Sequence, residues 1–368
     1  MQNILLLAPY PPPNGGIANW TKLLLDFAQT KQNDVHLQLV DIAPKRRATE
    51  GRGIVERIVE GGTSMLRIRK QAAAYIHESH PDCIHLCTSG SLAVLRDLLL
   101  LQLAKAKKIP VVYHLHFGRV PQISKQNTRE WHLIKKAMQM ASCVIGIDAL
   151  TVECIHKALP DVRCEQFPNP FDFAQITDVQ TEKTQTDTVV FVGWVVPEKG
   201  IGELVGAWKK LTQKYPQKKL KIIGPYREEY VRNLQLQDIE SVQLTGEMAH
   251  EDVLREVTQC GLFILPSYTE GFPNAVLEAM ALETPVLATD VGAMGEMLAS
   301  DCGLLFTSRS EQAVYDALCF AFENEAQMRL FARNAKMKTE ERYALEKVFE
   351  KYKQLWCEVK NEPVRKNH

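Results

Sequence analysis

The sequence predicts an α/β protein of two domains, each a parallel sheet covered by helices on both faces. Three observations carry that reading. The chain has 368 residues, enough for two domains of ordinary size. Short apolar runs alternate with helical patterns along nearly its whole length, as expected of parallel strands joined by crossover helices. A polar, Thr/Gln-rich, weakly periodic segment from Phe171 to Asp187 divides the alternation in two and reads as a linker.

In the first half the apolar runs place strands near 3–8, 35–40, 83–87, 111–115, 142–147 and 162–166, with helical patterns such as 17–30, 91–107 and 129–140 between them. In the second half strands fall near 188–193, 219–223, 241–244, 262–265, 285–288 and 303–306. Helices near 310–325, 327–338 and 345–360 follow the last strand. The expected division is 1–172, 188–340 and a terminal helical segment 341–368. No short fixed repeat appears.

Composition is that of a globular protein, 45% apolar and 24% charged. No apolar run reaches the roughly 18 residues a membrane-spanning helix needs. Met1 to Tyr10 reads as a first buried strand, without the basic leader of a signal peptide. Nine cysteines with no Cys-x-x-Cys pair are expected to be reduced thiols of a cytoplasmic protein. Net charge is zero, but residues 1–175 hold 21 Lys/Arg against 15 Asp/Glu, and the remainder 23 against 29. The basic excess is local: Lys45, Arg46, Arg47, Arg52, Arg57, Arg67, Arg69 and Lys70. Such a cluster is ordinarily a solvated face, and it also suits an anionic membrane surface or an anionic acceptor. Nucleic acid is disfavoured, because no aromatic residues interleave with the charges.

The most informative segment is Leu265-Pro-Ser-Tyr-Thr-Glu270-Gly-Phe-Pro-Asn-Ala-Val-Leu-Glu278. It reads as a strand end, a loop from Pro266 to Gly271, and a helix with Pro273 in its first turn. Glu270 projects from the loop, and Glu278, eight residues on, lies more than a turn into the helix. Backbone N–H groups near Asn274 and Ala275 suit a phosphate, and a carboxylate one turn deeper suits the vicinal hydroxyls of a ribose. Two glutamates facing water is the ordinary alternative.

Followed by Ala279-Met-Ala-Leu-Glu-Thr-Pro285-Val-Leu-Ala-Thr-Asp290-Val-Gly292, this segment resembles the signature of the retaining GT-B glycosyltransferases of the glycosyltransferase family 4 type, which include bacterial polysaccharide and phosphatidylinositol mannosyltransferases. The resemblance implies a GT-B architecture: two doubly wound, Rossmann-like domains facing a central cleft, with the terminal helix, Glu346 to Lys360, crossing back onto the first domain.

It also implies roles for individual residues. Gly15-Gly16, between the first strand and first helix, match the loop whose second glycine faces the donor diphosphate; the loop is not a dinucleotide fingerprint, which disfavours a dehydrogenase. His116, after Pro110-Val-Val, matches a histidine that meets the transferred sugar and orients it. His114 and His116 share one strand face, a geometry open to metal binding, but no nearby Cys, Asp or Glu is expected to complete a ligand set, so packing is expected of His114. In Phe191-Val-Gly193-Trp194-Val-Val-Pro-Glu198-Lys199-Gly200, Lys199 matches the lysine that contacts the donor phosphates. Trp194 stands where the family usually has arginine, a departure that removes one expected phosphate cation. Gly246 ends a strand at the edge where the family holds the nucleotide base. In Phe167-Pro-Asn169-Pro170, proline replaces the usual hinge glycine.

The expected function is transfer of a sugar from a nucleotide diphosphate sugar to a glycan or lipid-linked glycan hydroxyl, with retention. His116, Lys199 and Glu270 are the catalytic candidates; Gly15, Gly16, Trp194, Gly246, Asn274 and Glu278 bind the donor. The absence of any Asp-x-Asp triplet argues for a site without a metal ion or other cofactor. The alternatives are a GT-B sugar-nucleotide epimerase and a catalytically silent sugar-nucleotide binder, the latter favoured by Trp194. Apolar residues between the basic ones from Lys45 to Lys70 allow a peripheral helix at the inner membrane face or a helix packed on its own domain; Gly61-Gly62 is expected to interrupt any single long helix there.

Overall fold

A computed structural model describes residues 2–12, 15–30, 34–43, 54–177, 184–236 and 239–361, with only the backbone described over 54–61. Its first sheet contains β1 (Gln2–Ala8), β2 (Val35–Asp41), β3 (Cys83–Thr88), β4 (Val111–Leu115), β5 (Cys143–Gly146) and β6 (Cys164–Gln166). Its second contains β7 (Gln185–Val192), β8 (Lys219–Ile223), β9 (Val242–Gly246), β10 (Cys260–Leu265), β11 (Val286–Thr289) and β12 (Leu304–Phe306). Every pairing among these strands is parallel. All twelve expected strands are present, displaced by at most a few residues at their ends.

The strand orders are β2-β1-β3-β4-β5-β6 and β12-β11-β10-β7-β8-β9. In each sheet the chain first builds outward from its opening strand and then returns to that strand's other side. This creates a topological switch point between β1 and β3, and another between β7 and β10, where carboxyl ends of strands leave a crevice for ligands. Such strands are covered on both faces, which is why β3 and β4 are buried at every position.

The chain forms two compact units: residues 1–169 with 348–368, and residues 170–347. The helix Leu345–Asn361 begins at the end of the second and joins the first. Its stripe of Val348, Phe349, Tyr352, Leu355, Trp356 and Val359 is at most 1% exposed. The spacing puts these residues on one helical face. Phe349 packs on Phe27 at 5.0 Å and Tyr352 stacks on Phe167 at 4.9 Å, so the helix completes the first unit's core. Lys360 pairs with Asp82 at 2.9 Å, and Arg163 bridges Glu165 and Glu358.

Three details differ from the sequence expectation. The helix Ile54–Ser79 runs unbroken through Gly61 and Gly62. A glycine costs only about 1 kcal/mol in a helix interior, and the buried stripe Ile68, Ala72, Ile76 supplies packing beyond it. The linker is shorter than expected, since Phe173–Ile176 forms a 3-10 turn and β7 already begins at Gln185. Pro273 is the residue before the helix Asn274–Ala281 and lies outside its first turn. Of the basic cluster, Lys45, Arg46, Arg47 and Arg52 lie outside the described residues.

Candidate functional site

In the second unit the loops after β7 and β10 are clasped at the switch point. The Tyr268 N–H donates to the Glu198 carbonyl at 2.8 Å. Gly200 has φ of 69° and lies so close to Pro266 that a Cβ there would sit 2.1 Å from the Pro266 carbonyl oxygen. Only glycine fits that approach. On the other side Thr289 Oγ1 donates to the Ser267 carbonyl at 2.6 Å, and the Ala293 N–H to the Gly271 carbonyl at 2.8 Å.

This clasp brings Lys199 to Glu270, 71 positions apart in sequence. Lys199 Nζ lies 2.5 Å from Glu270 Oε1, which also accepts from Ser267 Oγ at 2.6 Å. The Glu270 side chain is 11% exposed and that of Lys199 26%, so the pair is partly desolvated yet reachable. A cation and a carboxylate held side by side can receive an anionic group and a hydroxyl-bearing group together.

Glu278 lies in the helix opened by Asn274, and its Oε1 is 3.0 Å from Nε2 of His250, a residue that sequence reasoning missed. His250 opens the helix His250–Gln259 four residues after Gly246. The bond to Glu278 holds its imidazole pKa above the ordinary value. Gly246, at φ of 77°, ends β9; the Gly224 N–H donates to its carbonyl at 2.9 Å. Trp194 follows β7 and is 48% exposed; the neighbouring Val195 pairs with Tyr226, itself 38% exposed, and its N–H donates to the Pro225 carbonyl at 3.0 Å. Within this unit the candidates Trp194, Lys199, Gly246, Glu270, Asn274 and Glu278 thus lie at or just beyond carboxyl ends of β7, β9 and β10.

Gly15, Gly16 and His116 belong to the first unit. Gly16 opens the helix Gly16–Thr30, and Trp20, one turn on, packs edge-on against His116 with ring centroids 4.8 Å apart. Among the described residues, a Cβ at Gly15 or Gly16 would meet nothing within 4 Å. His116 follows β4, and burial holds its pKa down at about 3. His114 packs against it at 3.7 Å, and the Nε2 atoms of both rings are buried without a partner among the described residues.

The expectation that no cysteine neighbours these histidines is corrected by β3, which brings His85 and Cys87 alongside His114, with candidate ligand atoms within 4.8 Å of one another. Trp356 decides how these groups are protonated. Its indole N–H can only donate, and it points at His85 Nδ1 at 3.0 Å. Neutral His85, its pKa lowered to about 3 by burial, therefore carries its proton on Nε2 and donates to His114 Nδ1 at 3.2 Å. The nitrogen facing His114 is thus a donor with no lone pair for a cation. His85 and His114 are thus linked in a buried hydrogen-bond relay.

Two units with parallel six-stranded sheets and switch-point clefts define the GT-B fold. Residues 172–338, which fall within the second unit, match the family model "Glycosyl transferases group 1". The chain is 27% identical over 270 residues to TuaC of Bacillus subtilis, a protein named for teichuronic acid biosynthesis as a glycosyltransferase; the match covers 70% of this chain and 64% of that one. The chain thus spans less than two thirds of the length of that relative. Among solved structures it resembles sucrose-phosphate synthase from Thermosynechococcus elongatus, with TM-score 0.77, 19% identity and coverage of 98% and 99% of the two chains. It also resembles Anabaena Alr3699/HepE in complex with UDP and glucose, with TM-score 0.72, 19% identity and coverage of 97% and 100%.

Proposed function

We propose that the chain is a retaining glycosyltransferase that moves a sugar from a nucleoside diphosphate sugar to an acceptor hydroxyl in cell-surface polysaccharide or glycolipid assembly. The observation that carries the reading is the Lys199–Glu270 pair at the β7/β10 switch point, with Glu278 in the adjoining helix. In this reading Lys199 balances the charge that develops on the diphosphate leaving group. Glu270 binds hydroxyls of the donor sugar and fixes its position for attack, and His116 orients that sugar. Glu278 takes the ribose diol, Gly246 borders the base, and the backbone around Gly15, Gly16 and Asn274 receives phosphate oxygens. The acceptor attacks the face from which the diphosphate leaves, and a donor phosphate oxygen takes its proton. No divalent ion enters this scheme. The UDP and glucose named with the Anabaena neighbour support the donor class.

The acceptor is proposed to be a glycan or lipid-linked glycan reached at the inner membrane face. Among the described residues no helix is long and apolar enough to cross a membrane. The helix Ile54–Ser79 supports a peripheral contact: Leu66 is 62% exposed, close to exposed Arg69 and Lys70. A second reading, a sugar-nucleotide binder without turnover, is favoured only by Trp194 in place of arginine.

Thermal unfolding with UDP-, GDP- and ADP-sugars in chelator tests the donor site. A donor at 100 times its dissociation constant adds about 2.7 kcal/mol, and Glu278→Ala should lose most of that gain. Product anomeric configuration, read by NMR, tests retention. No stabilisation by any donor would overturn the reading, and binding without transfer would select the silent binder.

A further inference from the structure

The carboxylate assigned to the ribose is not held by its own helix. Glu278 is the fifth residue of Asn274–Ala281, and a glutamate side chain has three torsions to order before two of its lone pairs can meet a diol. The bond that orders it comes from another element: His250 Nε2 lies 3.0 Å from Oε1. The Glu278 side chain is 17% exposed, while that of His250 is 50% exposed. The carboxylate is therefore enclosed and its clamp sits at the rim. With Oε1 engaged, the other oxygen is presented to a ligand in one orientation.

We propose that His250 is a positioning residue for nucleoside recognition: it fixes the Glu278 carboxylate for the ribose diol and makes nucleoside diphosphate affinity depend on pH. The inference rests on the reading of Glu278 as the ribose ligand. The charges acting on His250 are Glu278, from the helix packed against it, and Glu251, next to it on its own helix. With His250 protonated, the His250–Glu278 pair is neutral. With His250 neutral, the pair carries one negative charge at a site meant for an anionic diphosphate. Affinity must therefore fall as pH rises through the titration of His250, and nucleotide binding must in turn favour its protonated form.

The test is calorimetric titration of UDP, GDP and ADP, and of the 2′-deoxy form of whichever binds, at pH 6 and pH 8.5. Wild type, His250→Ala and His250→Gln are compared, with melting temperatures as the check on folding. Wild type should bind more weakly at pH 8.5 and discriminate against the 2′-deoxy ligand. His250→Ala should weaken binding of the ribonucleotide about five- to ten-fold at pH 6. It should also shrink the 2′-deoxy penalty, because an unclamped carboxylate reads the diol poorly, and flatten the pH dependence. His250→Gln, which still donates but does not titrate, should keep the 2′-deoxy penalty and lose the pH dependence. An unchanged 2′-deoxy penalty and pH profile in His250→Ala would overturn the inference while leaving the nucleotide site intact. Failure of every nucleotide to bind folded wild type would overturn the nucleotide reading, and this inference with it.

Discussion

Trp356 donates its indole N–H to Nδ1 of His85 at 3.0 Å, and both side chains are fully buried. Through His85 the same contact orients His114, which packs against His116. Trp356→Phe keeps most of the ring volume and removes the donor, leaving a buried acceptor unpaired. It should destabilise the protein by about 1–3 kcal/mol in urea denaturation. It should also change the tautomer of His85, visible in its ring ¹⁵N shifts; unchanged shifts would mean that the indole does not set the protonation of the pair.

The buried histidines give stability a defined pH dependence. His85 titrates near 3 in the folded chain because burial penalises its charged form, against an ordinary value of about 6.5 once unfolded. Below that ordinary value the unfolded state binds a proton that the folded state refuses. Stability is therefore lost as pH falls from about 7 toward 3, by about 2 kcal/mol for His85 alone between pH 7 and 5. His116, also held near 3 by burial, acts in the same direction. Denaturant midpoints across this range check the slope, and a flat profile would mean the rings charge freely.

Two glycines should respond oppositely to alanine. At Gly200 the new Cβ would fall 2.1 Å from a backbone oxygen at a left-handed φ, so the clasp must open. A loss of at least about 2 kcal/mol is expected. At Gly16 a Cβ would meet nothing within 4 Å among the described residues, and stability should stay within about 0.5 kcal/mol. Any loss of transfer in Gly16→Ala is then a ligand effect, separable by comparing melting temperature with turnover.

Lys199→Ala leaves Glu270 Oε1 with Ser267 as its remaining partner. If Lys199 stabilises the leaving diphosphate, turnover should drop about 10²–10³-fold with a smaller change in KM. An equal loss from KM alone would assign the lysine to ground-state binding.

The sheets were legible because strands buried on both faces read as unbroken apolar runs; Ile4 to Leu7 and Val189 to Phe191 are each at most 1% exposed. The individual site residues were legible through motif resemblance. Their pairings were not. Lys199 meets Glu270 only because Gly200 lets two loops touch, and His250 meets Glu278 through the relative rotation of two helices, which local pattern does not encode. The one available signal was a histidine at a helix start just beyond Gly246. The nearness of Cys87 to His114 was hidden for the same reason, since strand neighbours are set by topology and not by spacing.

The first unit closes around a helix that is translated after the whole of the second. While the ribosome is still reading residues 170–347, the pocket that will receive Trp356 and Tyr352 has no filling, and His85 has no indole to meet. The first unit's core is therefore completed by the last part of the chain to be made, residues 348–361, and its folding is expected to finish after that of the second.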